Sequence, residues 1–323
     1  MPSRPATSDG LDRSRRHLLR AGALALAAAV CPPILRASAP AGSRSRLILL
    51  GTAGGPTPKA GRSAPANAIV VDGRLYVIDC GDGVARQIVR AGLDLGAIRD
   101  VFITHQHSDH NADYGNLLWL AWAGRLHSRV DTWGPPPLAA MTRLFLQMND
   151  YDIRTRMADE GRPPLAPLIV PHELTRPGLV MKDDRVSVSA ALVQHPPVAP
   201  AFAYRFDCPD RSIVFSGDTR PSANLVALAR DADVLVHEVM YLPALERIVS
   251  GEPQARRLRE HLLASHTTTA QVGRLATQAR VKTLVLSHLV PAGDPPIPDE
   301  VWREAVAPHF KGRLIVGRDL LEL

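Results

Sequence analysis

The 323-residue sequence predicts an α+β protein of four layers, in which two β-sheets pack face to face and helices cover their outer faces (an αββα sandwich). Short apolar segments typical of strands fill the first half of the chain, and the second half repeats the same mixture of strands and helices. The sequence shows no short-period repeat of the kind that is typical of a solenoid. With 46% apolar residues the chain can bury a full core. We therefore expect one large domain over residues 42–323.

Residues 1–41 are predicted to be a twin-arginine (Tat-type) signal peptide. Arg15 and Arg16 precede the apolar stretch Ala21–Val30, which is too short to span a bilayer as a permanent helix. Small residues follow at 37–39, although the cleavage site is poorly defined, and a retained anchor is the alternative. The expected partner is the Tat export machinery, and the expected location is periplasmic or secreted.

The charge of the chain gives no strong nucleic-acid signal. The net charge is +6, but residues 1–41 contain six arginines and two acidic residues, which leaves +2 for the remainder. A basic footprint for a polynucleotide is therefore not evident from composition. Beyond the leader, the cysteines are Cys80 and Cys208, and neither has metal-ligand spacing. Whether they pair is left open.

The elements of the first half can be predicted in order. Asp72-Gly73 is a strong hairpin signal between two of the strands. The segment Met148–Pro167 has mixed charges and several prolines, so it is predicted to be a loop or lid insertion. The predicted strands are 46–50, 66–71, 74–80, 100–104 and 130–133, and the predicted helices are 84–91, 116–122 and 138–147.

The second half repeats this organisation. Predicted strands lie near 186–193, 201–206, 212–215, 234–237 and 283–287, and predicted helices near 222–230, 269–278 and 298–306.

The densest cluster of polar residues follows the apolar strand at 101–103. The run Thr104–His110 holds three histidines and one aspartate. Imidazole and carboxylate are ligands of Zn²⁺, Mn²⁺ or Fe²⁺. Because side chains at i and i+2 of an extended segment share a side, His105 and His107 are predicted to bind one ion, while Asp109 and His110 turn toward a second. A polar loop with accidental histidines is the alternative.

Three further ligands are predicted at the ends of strands. His195, Asp218 and His288 each follow an apolar run that would deliver the side chain to a sheet edge. Taken singly, such a residue is more often a hydrogen-bonded turn residue than a ligand. The same pattern at all three positions favours a metal site with two ions.

These motifs resemble those of the metallo-β-lactamase fold superfamily, in its branch of ribonuclease Z-like and arylsulfatase-like hydrolases. The resemblance covers most of the chain beyond the leader, from Leu49–Thr52 through Asp79–Gly83 to the last histidine motif. It implies this fold for a hydrolase domain at 42–323, two zinc ions per chain (with Mn or Fe as alternatives) and a homodimer. The implied ligands are His105, His107 and His195 for the first ion, Asp109, His110 and His288 for the second, and Asp218 as the bridge.

Two other motifs resemble elements of ribonuclease Z-like enzymes, namely His237-Glu238 and Ser265-His266. The resemblance implies that His266 donates a proton to the leaving group and that Glu238 orients it. A buried carboxylate keeps an imidazole protonated near neutral pH, which suits a general acid. The alternative is that Ser265 or a neighbouring threonine caps a helix and His266 is solvated. Asp109 is expected to hold the attacking water and accept its proton.

The resulting expectation is an exported dinuclear-metal hydrolase of small phosphodiester or sulfate esters, which uses a metal-bound hydroxide and a histidine general acid. Residues 135–166 hold four arginines and four acidic residues, so this segment lacks the charge that drives RNA affinity. The lid at 149–152, with Arg154, is expected to cover the pocket. The alternatives are a ribonuclease Z-like endoribonuclease of the tRNA 3′-processing type, an acyl hydrolase of the lactonase or β-lactamase type, and a non-catalytic metal-binding module.

Overall fold

A computed structural model describes residues 44–293 and 295–323 of the chain. The predicted signal peptide at 1–41 lies outside the described residues, so export by the twin-arginine route stays a prediction. Within the described residues, no helix is long and apolar enough to cross a membrane.

Two sheets of seven strands each form the centre of the described part of the chain. The first has the strand order β14-β1-β2-β3-β4-β5-β6, and the second has the order β13-β12-β11-β10-β9-β8-β7. The strands are β1 (Ser45–Gly51), β2 (Ala66–Val71), β3 (Arg74–Ile78), β4 (Ile98–Phe102), β5 (Val130–Gly134), β6 (Ile169–Glu173), β7 (Gly178–Lys182), β8 (Ser187–His195), β9 (Val198–Asp207), β10 (Ser212–Phe215), β11 (Val234–Met240), β12 (Thr283–Val290), β13 (Arg313–Val316) and β14 (Leu321–Glu322).

The helices cover the outer faces of the two sheets. Helices α1, α3 and α4 pack on the first sheet, where Trp122 is fully buried. Helices α6, α9 and α10 pack on the second sheet around Trp302. The helices are α1 (Val84–Arg90), α2 (Ser108–Asn111), α3 (Tyr114–Gly124), α4 (Leu138–Met148), α5 (Asp150–Glu160), α6 (Ala223–Leu228), α7 (Leu245–Val249), α8 (Ala255–Ser265), α9 (Thr269–Gln278) and α10 (Asp299–Val306).

An aromatic cluster fills the space between the two sheets. Phe102 of β4 meets Phe206 of β9 edge to face with ring centroids 5.0 Å apart, and Tyr204 packs against the same ring. Edge-to-face pairs of this kind stabilise a core beyond the burial of their area. The predicted four-layer αββα sandwich is therefore confirmed.

The predicted hairpin between β2 and β3 is also present. Asp72 and Gly73 have φ values of 46° and 79°, which is the left-handed pair that a two-residue hairpin turn requires. The chain leaves β3 at Asp79, whose φ is 61°, so the side chain of Asp79 turns toward the end of β4.

The segment 148–167, predicted as a loop or lid, is instead mostly the helix α5. Ion pairs with i,i+4 spacing join Asp150 to Arg154 at 2.8 Å and Asp152 to Arg156 at 3.0 Å. Acidic residues in the first turn complement the helix dipole, and Gly161 ends the helix with φ 67°. The mixed charges that suggested a loop are the charges that stabilise this helix.

Asp100 of β4 makes folding depend on pH. Burial raises the pKa of this carboxyl to about 6, even though it accepts a hydrogen bond of 3.0 Å from Trp133 Nε1. A raised folded-state pKa means that ionisation costs stability as the pH rises from the unfolded value of about 4 through about 6. We expect the free energy of unfolding of Asp100→Asn, relative to the unaltered protein, to rise by about 1–3 kcal/mol between pH 4 and pH 8. Urea titrations at several pH values measure this difference, and parallel curves would contradict the assignment.

Candidate metal centre

The histidine-rich loop begins where β4 ends, at the edge of the first sheet. Asp79 holds the start of this loop, because its Oδ1 accepts from the Thr104 backbone N–H at 2.8 Å and its Oδ2 accepts from Thr104 Oγ1 at 3.0 Å. His105 is fully buried, and the short helix α2 then carries Asp109 and His110 inward. The loop therefore presents its polar side chains toward the gap between the two sheets.

The three predicted strand-end residues come from the second sheet to the same place. His195 is the last residue of β8, and Asp218 follows β10 by three residues. His288 lies within β12 at φ 44°, beside a register shift in the β11–β12 pairing. All seven predicted ligands are thus brought into two adjoining groups, although they span residues 105 to 288 of the chain.

The first group consists of His105, His107 and His195. His107 Nδ1 lies 3.1 Å from His105 Nε2 and 3.0 Å from His195 Nε2. One ring nitrogen carries at most one proton, so His107 Nδ1 cannot donate to one neighbour and accept from the other at the same time. Ligand atoms on one tetrahedral ion lie roughly 3.3 Å apart, which matches this arrangement of three nitrogens.

The second group consists of Asp109, His110, Asp218 and His288. His110 Nε2 lies 3.3 Å from Asp218 Oδ1, and His288 Nε2 lies 3.4 Å from Asp109 Oδ2 and 3.1 Å from Asp218 Oδ2. His110 Nε2 and Asp218 Oδ1 are buried and make no hydrogen bond within the described residues. Buried polar atoms without a partner are costly, so these two atoms fit an ion that both would bind.

Asp218 stands between the two groups. Its Oδ2 also lies 3.9 Å from His105 Nε2 and 3.8 Å from His195 Nε2, so one carboxylate reaches both groups. The whole donor set consists of imidazoles and carboxylates, which suits zinc, manganese or iron. The residues present therefore fit two metal ions that share Asp218.

The electrostatics of the second group also favour a cation. Burial disfavours a charge on His110, but Asp218, Asp79 and Asp109 outweigh it and raise its pKa well above the usual value. For His288 burial is likewise outweighed, by Asp218 and Asp109, and its pKa rises to about 10. The carboxylates of this group thus hold positive charge strongly, and a divalent ion supplies such charge when bound.

The first group has the opposite character. Burial lowers the pKa of His195 to about 4, and burial with the neighbouring His110 lowers the pKa of His105 well below its usual value. Both rings are therefore neutral at neutral pH. A neutral imidazole is the form that binds a metal ion.

Hydrogen bonds behind the ligands fix the orientation of their rings. Asp79 Oδ2 lies 2.8 Å from His110 Nδ1, and the Ser265 carbonyl oxygen lies 3.0 Å from His195 Nδ1. Supporting contacts of this kind orient metal-binding histidines. This role of Asp79 was not predicted from the sequence, although its position directly after a buried strand was the available signal.

His266 and Glu238 lie next to the metal groups, as their motifs predicted. Glu238 Oε2 lies 3.3 Å from His266 Nδ1, and Glu238 Oε1 accepts from the Thr267 backbone N–H at 2.8 Å. Burial lowers the pKa of His266, but Glu238 outweighs burial and raises it. His266 is 6% exposed rather than solvated, and one of its ring nitrogens lies within 4.8 Å of ligand atoms of His195 and Asp218.

A cavity of 560 Å³ opens over the ligands. Its walls come from the loop 54–59 and from the region of α7 and α8, which includes the apolar side chains of Ile248, Leu258 and Leu262. None of the described residues 148–167 lines it, so the expected cover by 149–152 and Arg154 is corrected. Arg247 and His261 also line the cavity. No sequence motif predicted them, because only the packing of α7 and α8 brings them there.

Comparison with solved structures defines the fold. Human tRNase Z, short form, matches with a TM-score of 0.63 and 20% identity over 86% of this chain and 98% of that chain. Zn²⁺-bound PqqB from Methylobacterium extorquens matches with a TM-score of 0.62 and 16% identity over 86% of this chain and 99% of that chain. The fold is the metallo-β-lactamase fold.

Sequence comparison then defines the family. Ribonuclease Z of Mycobacterium bovis is 33% identical over 277 residues, which are 85% of this chain and 96% of that protein. The family model described as Anti-Pycsar protein Apyc1 matches residues 45–248. The chain belongs to the family that these two matches define, and its class is that of metal-dependent hydrolases of ester bonds.

These relatives correct the functional expectation drawn from the sequence. The expected substrate, a small phosphodiester or sulfate ester, is wrong, because the relatives that match over almost their whole length are named Ribonuclease Z, and the ribonuclease Z-like alternative fits better. The expectation failed because it inferred RNA affinity from the charge of residues 135–166 alone. The neutral charge of one segment does not measure RNA affinity, because exposed arginines of other elements border the site, such as Arg86 and Arg90 of α1.

Proposed function

We propose that the protein is a ribonuclease Z-like endoribonuclease that hydrolyses a phosphodiester bond of RNA, in the manner of tRNA 3′ processing, with two zinc ions bound per chain. The observation that carries the proposal is the position of His266 and Glu238 beside two ligand groups that share Asp218. The ribonuclease Z relatives support the choice of RNA as the substrate.

The ligands divide between two ions. His105, His107 and His195 would hold the first, Asp109, His110 and His288 the second, and Asp218 would bind both. When bound, such a pair of ions lowers the pKa of a water molecule and neutralises the charge of the attacked phosphate. Manganese or iron are the alternatives to zinc, because the same donor types serve them.

The residues of the chain supply the proton transfers. Asp109, which lies at the floor of the cavity, would orient the attacking water and accept its proton. His266, whose pKa Glu238 raises, would donate a proton to the leaving oxygen. A ribose oxygen is a poor leaving group without this proton, so RNA requires the His266–Glu238 pair.

The test is cleavage of a precursor tRNA that carries a 3′ trailer, by the zinc-loaded protein. We expect site-selective cleavage with no 2′,3′-cyclic phosphate among the products, because water rather than the 2′-hydroxyl attacks the phosphorus. A substrate with a single 2′-deoxyribose at the cleavage site should be cut at a similar rate. The 2′-deoxy substrate thereby separates this activity from that of common contaminating ribonucleases.

The matched control is Asp218→Ala protein prepared in parallel, which should leave the RNA intact. Cyclic phosphate products, or equal cleavage by the control, would assign the activity to a contaminant. No cleavage of precursor tRNA or of unstructured RNA by metal-loaded protein would overturn the proposed function.

A further inference from the structure

A groove of 350 Å³ opens beside the metal centre and adjoins the cavity over the ligands. It runs between the loop 56–64, one face of α1 and the loop at 108–112. Lys59, Ser108 and Asp109 line both the groove and the cavity over the ligands. A strand that passes over the metal centre can therefore continue into this groove.

The groove is basic. Four cationic side chains line it, against the carboxylates of Asp82 and Asp109 among the described residues, and Asp109 is one of the proposed metal ligands. The four are Lys59, Arg62, Arg86 and Arg90. When Asp109 binds metal, the ion neutralises its charge. The groove then has a clear excess of positive charge beside the reacting phosphate.

One of these four cationic side chains, Arg62, is engaged in hydrogen bonds within the protein. Arg62 Nη1 donates to Thr52 Oγ1 at 2.6 Å and to the Gly317 carbonyl oxygen at 2.8 Å. Burial lowers the pKa of Arg62, with Asp319 acting in the opposite direction. Arg62 thus anchors the loop of the groove and is not a free phosphate ligand.

Arg86 and Arg90, in contrast to Arg62, have side chains that face solvent. Both are exposed, and their i,i+4 spacing on α1 places them on one face of the helix. Arg90 Nη1 donates to Gln87 Oε1 at 2.8 Å, and Gln87 Nε2 is itself anchored on the Leu50 carbonyl oxygen at 2.6 Å. Arg86 makes no hydrogen bond or ion pair within residues 44–293 and 295–323. Its guanidinium donors are therefore available to a ligand.

We propose that Arg86 and Arg90, with Lys59 across the groove, bind backbone phosphates of the RNA strand next to the one that is cleaved. The guanidinium fork of arginine matches two phosphate oxygens, so two arginines one helical turn apart suit successive phosphates of a strand. This inference rests on the proposed function and names where that substrate is held.

The test is the variant Arg86→Gln/Arg90→Gln, assayed on the precursor tRNA by steady-state kinetics. We expect KM to rise roughly 10–100-fold with little change in kcat, because contacts away from the reacting phosphate bind substrate and transition state equally. The slope of log(kcat/KM) against log salt concentration should fall by about 1.4–1.8, the loss of two phosphate contacts. Zinc content should remain that of the unaltered protein.

The matched control removes the same charge from Arg274 and Arg313, which are exposed and line neither the groove nor the cavity. Arg274→Gln/Arg313→Gln should leave KM and the salt slope near those of the unaltered protein. Arg86→Lys/Arg90→Lys keeps the charge without the guanidinium fork, so the salt slope should return to that of the unaltered protein and part of the lost affinity should be restored, which shows that the defect lies in phosphate binding rather than in folding.

Two outcomes separate the groove from the proposed function. Suppose that the unaltered protein cleaves precursor tRNA and that Arg86→Gln/Arg90→Gln has the same KM as the control Arg274→Gln/Arg313→Gln. The groove then does not bind the substrate, while the proposed function stands. If the unaltered, metal-loaded protein cleaves no RNA, the proposed function is overturned, and the groove proposal fails with it.

Discussion

Asp218→Ala is expected to lose most of its bound metal and to fall to background activity on RNA. Asp218 is the carboxylate that reaches both ligand groups, with His110 Nε2 at 3.3 Å on one side and His195 Nε2 at 3.8 Å on the other. Without it, each set of ligands loses a donor and the two ions lose their shared negative charge. The measurement is metal content per chain by mass spectrometry after growth in zinc-supplemented medium, and we expect about two zinc ions per unaltered chain.

The matched control for this prediction is Asp79→Asn. Asp79 touches no proposed ion, but its Oδ2 accepts from His110 Nδ1 at 2.8 Å. Loss of such a supporting contact typically lowers metal affinity about 10–100-fold, so this variant should lose metal only at low free zinc. Full metal content in Asp218→Ala, measured on protein whose circular dichroism is unchanged, would show that Asp218 is not the bridge.

His266→Ala should lower turnover of RNA roughly 10²–10⁴-fold, the usual range for a lost general acid. The ring lies 3.3 Å from Glu238 Oε2 and lines the cavity over the ligands, where a leaving oxygen would stand. Bis-p-nitrophenyl phosphate releases p-nitrophenolate, which needs little protonation. Its hydrolysis should therefore fall far less than that of RNA, and the ratio of the two rates is the measurement.

Glu238→Gln provides the graded control for this prediction. The amide still reaches His266 but no longer raises its pKa by charge, so the loss on RNA should be smaller and of the same kind. Metal content should be normal in both variants. Equal losses on the two substrates would mean that His266 does not act as the acid, and loss of metal would mean that it is a ligand.

The metal-binding loop was the part of the site most open to prediction from sequence. His105, His107, Asp109 and His110 lie within six residues, so their joint chemistry is a local property of the chain. The distant ligands were predictable for another reason. Because apolar strands of a sandwich end at a common edge, polar residues at those ends are brought together once the strands pair.

Helix α5 shows where local sequence reasoning failed. Its mixed charges are typical of an exposed loop when read as composition, but at i,i+4 spacing they form ion pairs such as Arg156 with Glu160 at 2.7 Å. The contact between Arg156 and the face of Trp119, with 5.3 Å from the guanidinium carbon to the ring centroid, adds a tertiary term that no local pattern contains.

The sequence by itself determined the layers of the fold, the metal-binding loop and the types of ligand that complete it. Strand periodicity and donor chemistry are properties of neighbouring residues, so they can be recognised without the tertiary structure. Only the tertiary structure decided that α7 and α8, rather than residues 148–167, wall the cavity. It also decided that Arg86 and Arg90 of α1 face the metal-binding loop. These relations join residues far apart in the chain, and their geometry follows from how the two sheets and their helices pack, which no local segment encodes.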